Sequence, residues 1–99
     1  MSSESAGVHD GVVVERNPDV VAREFDGLTF IMHPHRRELH HLNESAWFVW
    51  QAVDGRRSVG DLVALLCEEY EVTADEARRD VAELLATLLE KDLVRRLSS

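Results

Sequence analysis

The stretch LNESAWFVW, residues 42–50, marks the point where the sequence changes from an extended to a helical pattern. Upstream of it, short runs of β-branched and apolar residues are separated by turn-forming residues, as expected of short strands: VVVER, VVAREF, LTFIM and RELHHL. Downstream of it, apolar residues recur at spacings of three and four, which is typical of amphipathic helices. We therefore expect the chain to place its strands first and its helices second.

The pair Asp26-Gly27 is the strongest turn signal in the extended half. A type I′ turn needs positive φ at both central residues, and Asp-Gly adopts these angles at low cost. The sequence therefore predicts a hairpin of VAREF and LTFIM, extended by RELHHL into a three-stranded meander. Alternate residues of LTFIM fall on opposite faces of the strand. Leu28, Phe30 and Met32 make only one face clearly apolar, so we expect the sheet to be covered on one side.

Three helices are predicted next, each beginning at a capping residue. Asn43 is placed to cap a helix over about residues 44–53. Ser58 and Thr73 each precede an acidic residue by three positions, a capping-box pattern that opens the second helix and a third over about residues 74–91. The remaining DLVRRL is expected to form a short tail. Strands followed by three helices predict an α+β domain of winged-helix-turn-helix type, with an N-terminal three-stranded antiparallel sheet.

Composition restricts the class of protein further. The 99 residues are 44% hydrophobic and carry a formal net charge of −8, which fits one soluble domain that we assign to residues 12–97, after a flexible N-terminal tail at residues 1–11. We find no basic, apolar start of a signal peptide and no run of about 18 apolar residues, so we expect a cytoplasmic protein without a membrane span. The negative charge disfavours nucleic acid as a partner.

The run LNESAWFVWQAVDGRRSVGDLVALLCEEYEV, followed by a helix ending in LLEKDLV, resembles the PqqD family. The resemblance covers roughly residues 20–95 and rests on an ordered set of residues: Leu42-Asn43, Asp54-Gly55, Ser58, Tyr70 and Leu93-Val94. The segment HRRELHH replaces the Gly-x-Tyr or similar aromatic element that many relatives carry before Leu-Asn. This departure leaves the leader peptide and the biosynthetic pathway open.

The resemblance implies a non-catalytic adaptor without a cofactor. Members of the family bind the leader segment of a ribosomally synthesised and post-translationally modified peptide (RiPP), and they present its core to a modifying enzyme. That enzyme would act in trans as a radical SAM enzyme, a cyclase or a leader peptidase, in a PQQ-type or a lasso-peptide pathway. The short strands and the N-terminal arm also leave a strand-swapped homodimer open.

The predicted peptide site combines an edge strand with the third helix. An edge strand can accept a peptide as one further strand, and the resemblance implies binding between the third strand and the third helix. The apolar arc of that helix is wider than one packing seam needs, and Arg78 on its flank could pair with an acidic leader side chain. The predicted peptide-binding residues are Arg37, Leu39, His41, Arg78, Ala82, Leu85 and Leu89.

Structural interpretations compete with several of these assignments. For Leu85 the core interpretation is favoured over peptide contact, and Arg78 can be a solvated helix residue. Trp47 and Trp50 lie three positions apart on one helical face, which favours packing over ligand stacking, whereas Phe48 projects elsewhere and would be exposed or covered by a partner.

Three alternatives to peptide binding belong to other classes of function: metal binding, catalysis and DNA binding. Adjacent His40 and His41 point to opposite faces of a strand, which is poor geometry for a shared metal ion. Cys67 lies in a predicted helix without an activating partner nearby in the sequence, so no nucleophile is evident. A winged-helix DNA-binding regulator, or a regulatory partner domain, stays open, although the third helix is rich in acidic residues.

Overall fold

The computed structural model describes residues 8–97. In chain order their elements are β1 (Val14–Arg16), β2 (Val21–Phe25), β3 (Leu28–Met32), β4 (Leu39–Leu42), α1 (Glu44–Ala52), α2 (Val59–Glu69), α3 (Ala74–Glu90) and β5 (Val94–Arg96). Strands β2, β3 and β4 form one antiparallel sheet in that order, and β1 and β5 form a second, two-stranded sheet. The predicted α+β class is confirmed.

The Asp-Gly hairpin forms as predicted. Asp26 and Gly27 have φ of 56° and 82°, and they join Phe25 to Leu28 as the last pair of the β2–β3 ladder. The next hairpin pairs β3 with β4, from Thr29 opposite Leu42 to Met32 opposite Leu39. The three predicted strands therefore form a meander, with β4 at one end of the sheet.

The C-terminal DLVRRL is a strand and not the tail that the sequence predicted. Val94–Arg96 pairs antiparallel with Val14–Arg16, and both Leu93 and Val94 are buried in the core. A strand of three residues is too short to show a clear alternation of apolar and polar positions. Its partner lies about eighty residues away, so the strand is stabilised by tertiary contacts that no local pattern indicates. The predicted fold, with a single three-stranded sheet at the N-terminus, therefore omits the second sheet of β1 and β5.

The main sheet packs on the core through the less apolar face of β3. Ile31 is fully buried on that face, together with Thr29 and His33, whereas Leu28 on the opposite face is 48% exposed. The expectation that the wholly apolar face marks the covered side was wrong. Polar residues can be buried here because each has a partner; Thr29 Oγ1, for example, donates to the Leu42 carbonyl at 2.8 Å.

Each helix begins at the predicted cap. Asn43 Oδ1 accepts a hydrogen bond from the Ala46 N–H at 2.8 Å, and Ser58 and Thr73 form complete capping boxes with the acidic residue three positions later. The three helices and both sheets enclose one core, with these residues among its members: Val14, Ile31, Leu42, Val49, Trp50, Val53, Leu62, Leu66, Val81, Leu85, Leu88 and Leu93.

Residues 8–11, which belong to the predicted tail, contact the domain. The Asp10 carbonyl accepts a hydrogen bond from the Gly60 N–H at 2.9 Å, and Val8 packs against the core. The rest of the predicted tail, residues 1–7, lies outside the described residues. Within residues 8–97 no helix is long and apolar enough to cross a membrane.

Candidate functional site

Strand β4 exposes one of its two long edges. One edge pairs with β3, and no strand within the described part of the chain pairs with the other. Its side chains alternate, with Leu39 and His41 exposed on the outer face of the sheet and Leu42 buried on the inner face. Because an unpaired strand edge presents a row of N–H and C=O groups, β4 can accept a further strand.

Two contacts, His33 with Asp92 and Glu38 with Lys91, tie the segment between β3 and β4 to the end of α3. His33 Nε2 lies 3.2 Å from Asp92 Oδ2, and the His35 N–H donates to His33 Nδ1 at 3.1 Å. Since Nδ1 accepts a hydrogen bond, Nε2 bears the ring hydrogen and donates a hydrogen bond to the Asp92 carboxylate. Lys91 lies 3.7 Å from Glu38 next to β4. These contacts hold the start of β4 beside the last turn of α3.

A groove continues from the end of β4 between α1 and α3, and we call it the α1–α3 groove. It consists of two neighbouring cavities of about 370 and 340 Å³ that share Asn43, Ser45, Leu66 and Asp80. The first cavity is also lined by Ala46, Val49, Val81, Glu83, Leu84 and Thr87. The second is also lined by Glu44, Tyr70 and Val72. The groove has an apolar floor and begins directly after the open strand.

The α1–α3 groove is acidic. Glu44, Asp80 and Glu83 line it, and neither cavity has a lysine or arginine in its wall. Tyr70 donates a hydrogen bond from its hydroxyl to Glu44 Oε2 at 3.4 Å. Partial desolvation, followed by the charge of Glu44, raises the pKa of Tyr70. Because a tyrosine hydroxyl is protonated at neutral pH even without this shift, it is a hydrogen-bond donor here.

Six of the seven predicted peptide-binding residues fall into two groups, one at β4 and one on α3, and the seventh, Leu85, is buried in the core. The first group lies at β4: Leu39 and His41 belong to the strand, and Arg37 is exposed in the turn before it with φ of 59°. The ring of His41 lies 5.5 Å from that of Phe30 on the outer face. These three residues flank the open edge.

The second group lies on the far side of α3. At 100° per residue, Arg78, Ala82 and Leu89 point away from the side that carries Asp80 and Thr87 in the groove wall. Arg78 binds Asp10 through two hydrogen bonds of 3.0 and 3.1 Å. These hydrogen bonds lower the pKa of the Asp10 carboxyl. The guanidinium of Arg78 therefore holds the N-terminal segment.

Leu85 is fully buried, which agrees with the core interpretation of this residue. The apolar arc of α3 has two borders, and the sequence did not reveal that the border at Leu84 faces the groove. On the helical wheel Leu84 lies next to Asp80 and Thr87, on the opposite border of the arc from Arg78, and the sequence alone does not distinguish the two borders. Glu44 and Asp80 escaped notice because both look like ordinary solvated helix residues.

The aromatic residues of α1 serve mainly to pack the fold. Trp50 is buried, with the guanidinium carbon of Arg16 5.7 Å from its ring centroid, and Trp47 is half-buried against the core. Phe48 is half-buried too and meets Tyr70 edge to face at 5.8 Å between ring centroids. The packing interpretation of the tryptophans is confirmed, and Phe48 helps to position a wall of the groove.

Strand β2 forms the other end of the main sheet. Arg23 Nη1 donates a hydrogen bond to the carbonyl of Ala22 at 3.3 Å, so this backbone carbonyl of β2 already has a donor from a charged side chain. A cavity of about 370 Å³ beside it is lined partly by Arg16, Pro18 and Trp50. Across residues 8–97, no three histidine, cysteine or acidic side chains cluster as metal ligands would.

Comparisons with known proteins agree with this architecture. The family model described as Coenzyme PQQ synthesis protein D (PqqD) matches residues 29–94. The PqqD truncation of Methylobacterium extorquens PqqCD, described as a functional and stand-alone RiPP recognition element, is 21% identical with a TM-score of 0.77, and the match covers 93% of this chain and 98% of that chain. No curated protein sequence matches the chain.

Two further similar structures are complexes. Lasso peptide synthetase B1 complexed with the leader peptide is 26% identical with a TM-score of 0.68, over 86% of this chain and 98% of that chain. TbiB1 in complex with the TbiA(beta) leader peptide is 20% identical with a TM-score of 0.73, over 86% of this chain and 99% of that chain. These similarities extend over nearly the whole of each compared chain.

Proposed function

The chain belongs to the PqqD family, and on that premise we propose that it is a non-catalytic adaptor that binds the leader segment of a ribosomally synthesised precursor peptide. The observation that carries the proposal is the unpaired edge of β4 beside the α1–α3 groove. The similarity to a lasso peptide synthetase B1 that is complexed with a leader peptide supports it.

The leader would bind as a fourth strand on β4. Its backbone N–H and C=O groups would pair with those of residues 39–42, which gives affinity with little dependence on sequence. Alternate leader side chains would then point to opposite faces of the enlarged sheet. One set would lie beside Leu39 and His41 on the outer face, and the other would point toward the inner face, where α1 and α3 form the groove.

The biological partner would be an enzyme that acts on the rest of the same precursor. We infer that it works in trans as a radical SAM enzyme, a cyclase or a leader peptidase, in the cytoplasm where ribosomal precursors are made. In this proposal β4 belongs to the wing of a winged-helix-type domain that binds a peptide. A homodimer by strand exchange remains a prediction of the short strands.

The DNA-binding alternative is less well supported by the charges on α3. Five acidic residues of this helix are exposed: Asp75, Glu76, Asp80, Glu83 and Glu90. A helix that enters a DNA groove meets phosphates on both sides, so these carboxylates would oppose binding. Arg78, one of the two basic residues of α3, is paired with Asp10 and with Asp75.

The proposal is tested by titrating the full chain with the precursor peptide encoded next to its gene, using isothermal titration calorimetry. We expect saturable one-to-one binding that survives at high salt, because backbone pairing and apolar contacts are screened little. A parallel titration with duplex DNA should give no saturable binding. Binding of the DNA together with no binding of the precursor would overturn the proposal.

A further inference from the structure

We propose that the α1–α3 groove selects leader peptides that carry a lysine or arginine next to an apolar side chain. This inference rests on the proposed function and deepens it, because it names the chemistry of the leader. Charge complementarity carries it: the groove that would receive the peptide beyond β4 has an apolar floor and only carboxylates as its charged groups.

The floor of the groove accepts one apolar side chain. Ala46 and Val49 of α1 face Leu84 and Val81 of α3 across the first cavity, and Leu66 of α2 contributes to both cavities. A volume of about 370 Å³ lies within the range of roughly 300–1,000 Å³ that is typical of ligand clefts, and it suffices for one large side chain. A leader side chain that enters here anchors the residues on either side of it close to the rim.

The carboxylates at the rim are available to a ligand. Within the described residues, Asp80 and Glu83 form neither an ion pair nor a side-chain hydrogen bond. Glu44 accepts a hydrogen bond from Tyr70 through one oxygen, and its other oxygen remains for a cation. A lysine or arginine of the leader would therefore meet two or three unneutralised carboxylates, whereas an aspartate or glutamate would meet like charges.

Neither arginine of α3 lines the groove, and Arg79, next to Asp80 in the sequence, is in the wall of neither cavity. Arg78 was expected from the sequence to pair with an acidic leader side chain, but it binds Asp10 and lies on the opposite side of the helix from Asp80. The protein as a whole also carries a net charge of −8. Both facts favour a basic leader over an acidic one.

Each exposed ion pair with the rim should change the dissociation constant by about two- to fivefold, and the preference should weaken as salt is raised. Two variants separate the groove from the general charge of the protein. Asp80→Asn with Glu83→Gln removes two charges from the rim. Glu68→Gln with Glu90→Gln removes two charges from exposed residues that line neither cavity.

The test is a selection from a random peptide library on the immobilised full chain and on both double variants. Peptides of about 12 residues are long enough to pair with β4 and continue along the groove, at about 3.3 Å per residue. The readout is the frequency of lysine and arginine relative to aspartate and glutamate beside an enriched apolar position. We expect a basic preference in the original chain, its loss in the Asp80→Asn, Glu83→Gln variant, and its retention in the Glu68→Gln, Glu90→Gln variant.

Three other results would overturn the inference, and they differ in meaning. Enrichment of apolar peptides without a preference for lysine or arginine would contradict the inference and would still agree with the proposed function. A basic preference that both double variants lose equally would assign it to net charge and not to the groove. Failure to enrich any peptide, in a chain shown to be folded by circular dichroism, would count against the proposed function and the inference together.

Discussion

The two ends of the main sheet differ in what they offer to a peptide. In strand β2 the side chain of Arg23 donates a hydrogen bond to the carbonyl of Ala22, and charged side chains on the edge are one way in which proteins protect a sheet edge. Strand β4 is held in place at its start by His33 and Lys91 contacts and leads into an apolar, acidic groove. In the proposed function, the contacts and the groove beside β4, more than its unpaired edge alone, distinguish it from β2 as a peptide site.

The groove next to β4 should be the most sensitive place in the molecule for binding. Ala46→Phe adds an aromatic ring to the wall of the first cavity and should weaken leader binding at least about tenfold, by competing for the same volume. Ala22→Phe places the same ring in the cavity beside β2 and serves as the matched control. Fluorescence anisotropy with labelled precursor measures both affinities, after circular dichroism has shown that each variant is folded. Equal losses of leader affinity in the two variants would contradict the proposal that β4, and not β2, is the binding edge.

The anchor at Asp92 should set how firmly β4 is positioned. Asp92 has φ of 61°, which asparagine tolerates better than alanine, and the amide oxygen of asparagine can still accept a hydrogen bond from His33 Nε2. Asp92→Ala should therefore lower the free energy of unfolding by about 1–3 kcal/mol, whereas Asp92→Asn should cost less than about 1 kcal/mol. Urea denaturation measures both values. A free energy of unfolding that falls equally in the two variants would show that the hydrogen bond contributes little.

The outer face allows a direct comparison of the two end strands. Leu39 of β4 and Phe25 of β2 both point outward and are 65% and 75% exposed. Leu39→Asp should weaken leader binding by about three- to tenfold, because it removes an apolar neighbour of the added strand. Phe25→Asp should leave the affinity within about twofold. The same anisotropy titration distinguishes them, and a larger loss for Phe25→Asp would favour β2 as the binding edge.

The smallest effect is expected for the ion pair between Asp10 and Arg78. The pKa of Asp10 in the folded chain lies below its ordinary value of 3.8, so its contribution to stability is complete above about pH 4 and is lost as the pH falls through the folded pKa. The difference in urea midpoint between the original chain and Asp10→Asn should therefore shrink below pH 4. Both side chains are about half exposed, so the difference should be small at any pH.

Arg78→Ala provides a second test of the same contact. Because Arg78 lies away from the groove, this variant should bind the leader with unchanged affinity. A clear loss of affinity in the anisotropy titration would instead favour the site that the sequence predicted on this side of α3.

The parts of the fold that the sequence predicts are those with strong local signals. Asp26-Gly27 sets its hairpin through backbone angles, and the caps at Asn43, Ser58 and Thr73 begin their helices through hydrogen bonds to residues three positions away. Strand β5 has no such signal, because only contacts with β1 define it. Periodicity alone could not tell whether the apolar or the mixed face of β3 is buried.

The candidate site also has one part that the sequence predicts and one part that it does not. The open edge of β4 follows from the order of the meander, so Leu39 and His41 could be placed beside it from the sequence. The wall of the groove on α3 could not be predicted from the sequence, because a wide apolar arc does not reveal which of its borders faces the sheet. The contact between Arg78 and Asp10 joins residues 68 positions apart, and no local pattern indicates it.

Amide hydrogen exchange of the full chain, measured by mass spectrometry with and without saturating precursor peptide, tests the central claim most directly. If the leader adds to β4, exchange should slow in residues 39–42 and stay unchanged in residues 21–25 of β2, because new backbone hydrogen bonds form at the first edge alone. Saturable binding that slows exchange in β2, or that leaves β4 unchanged, would contradict the account.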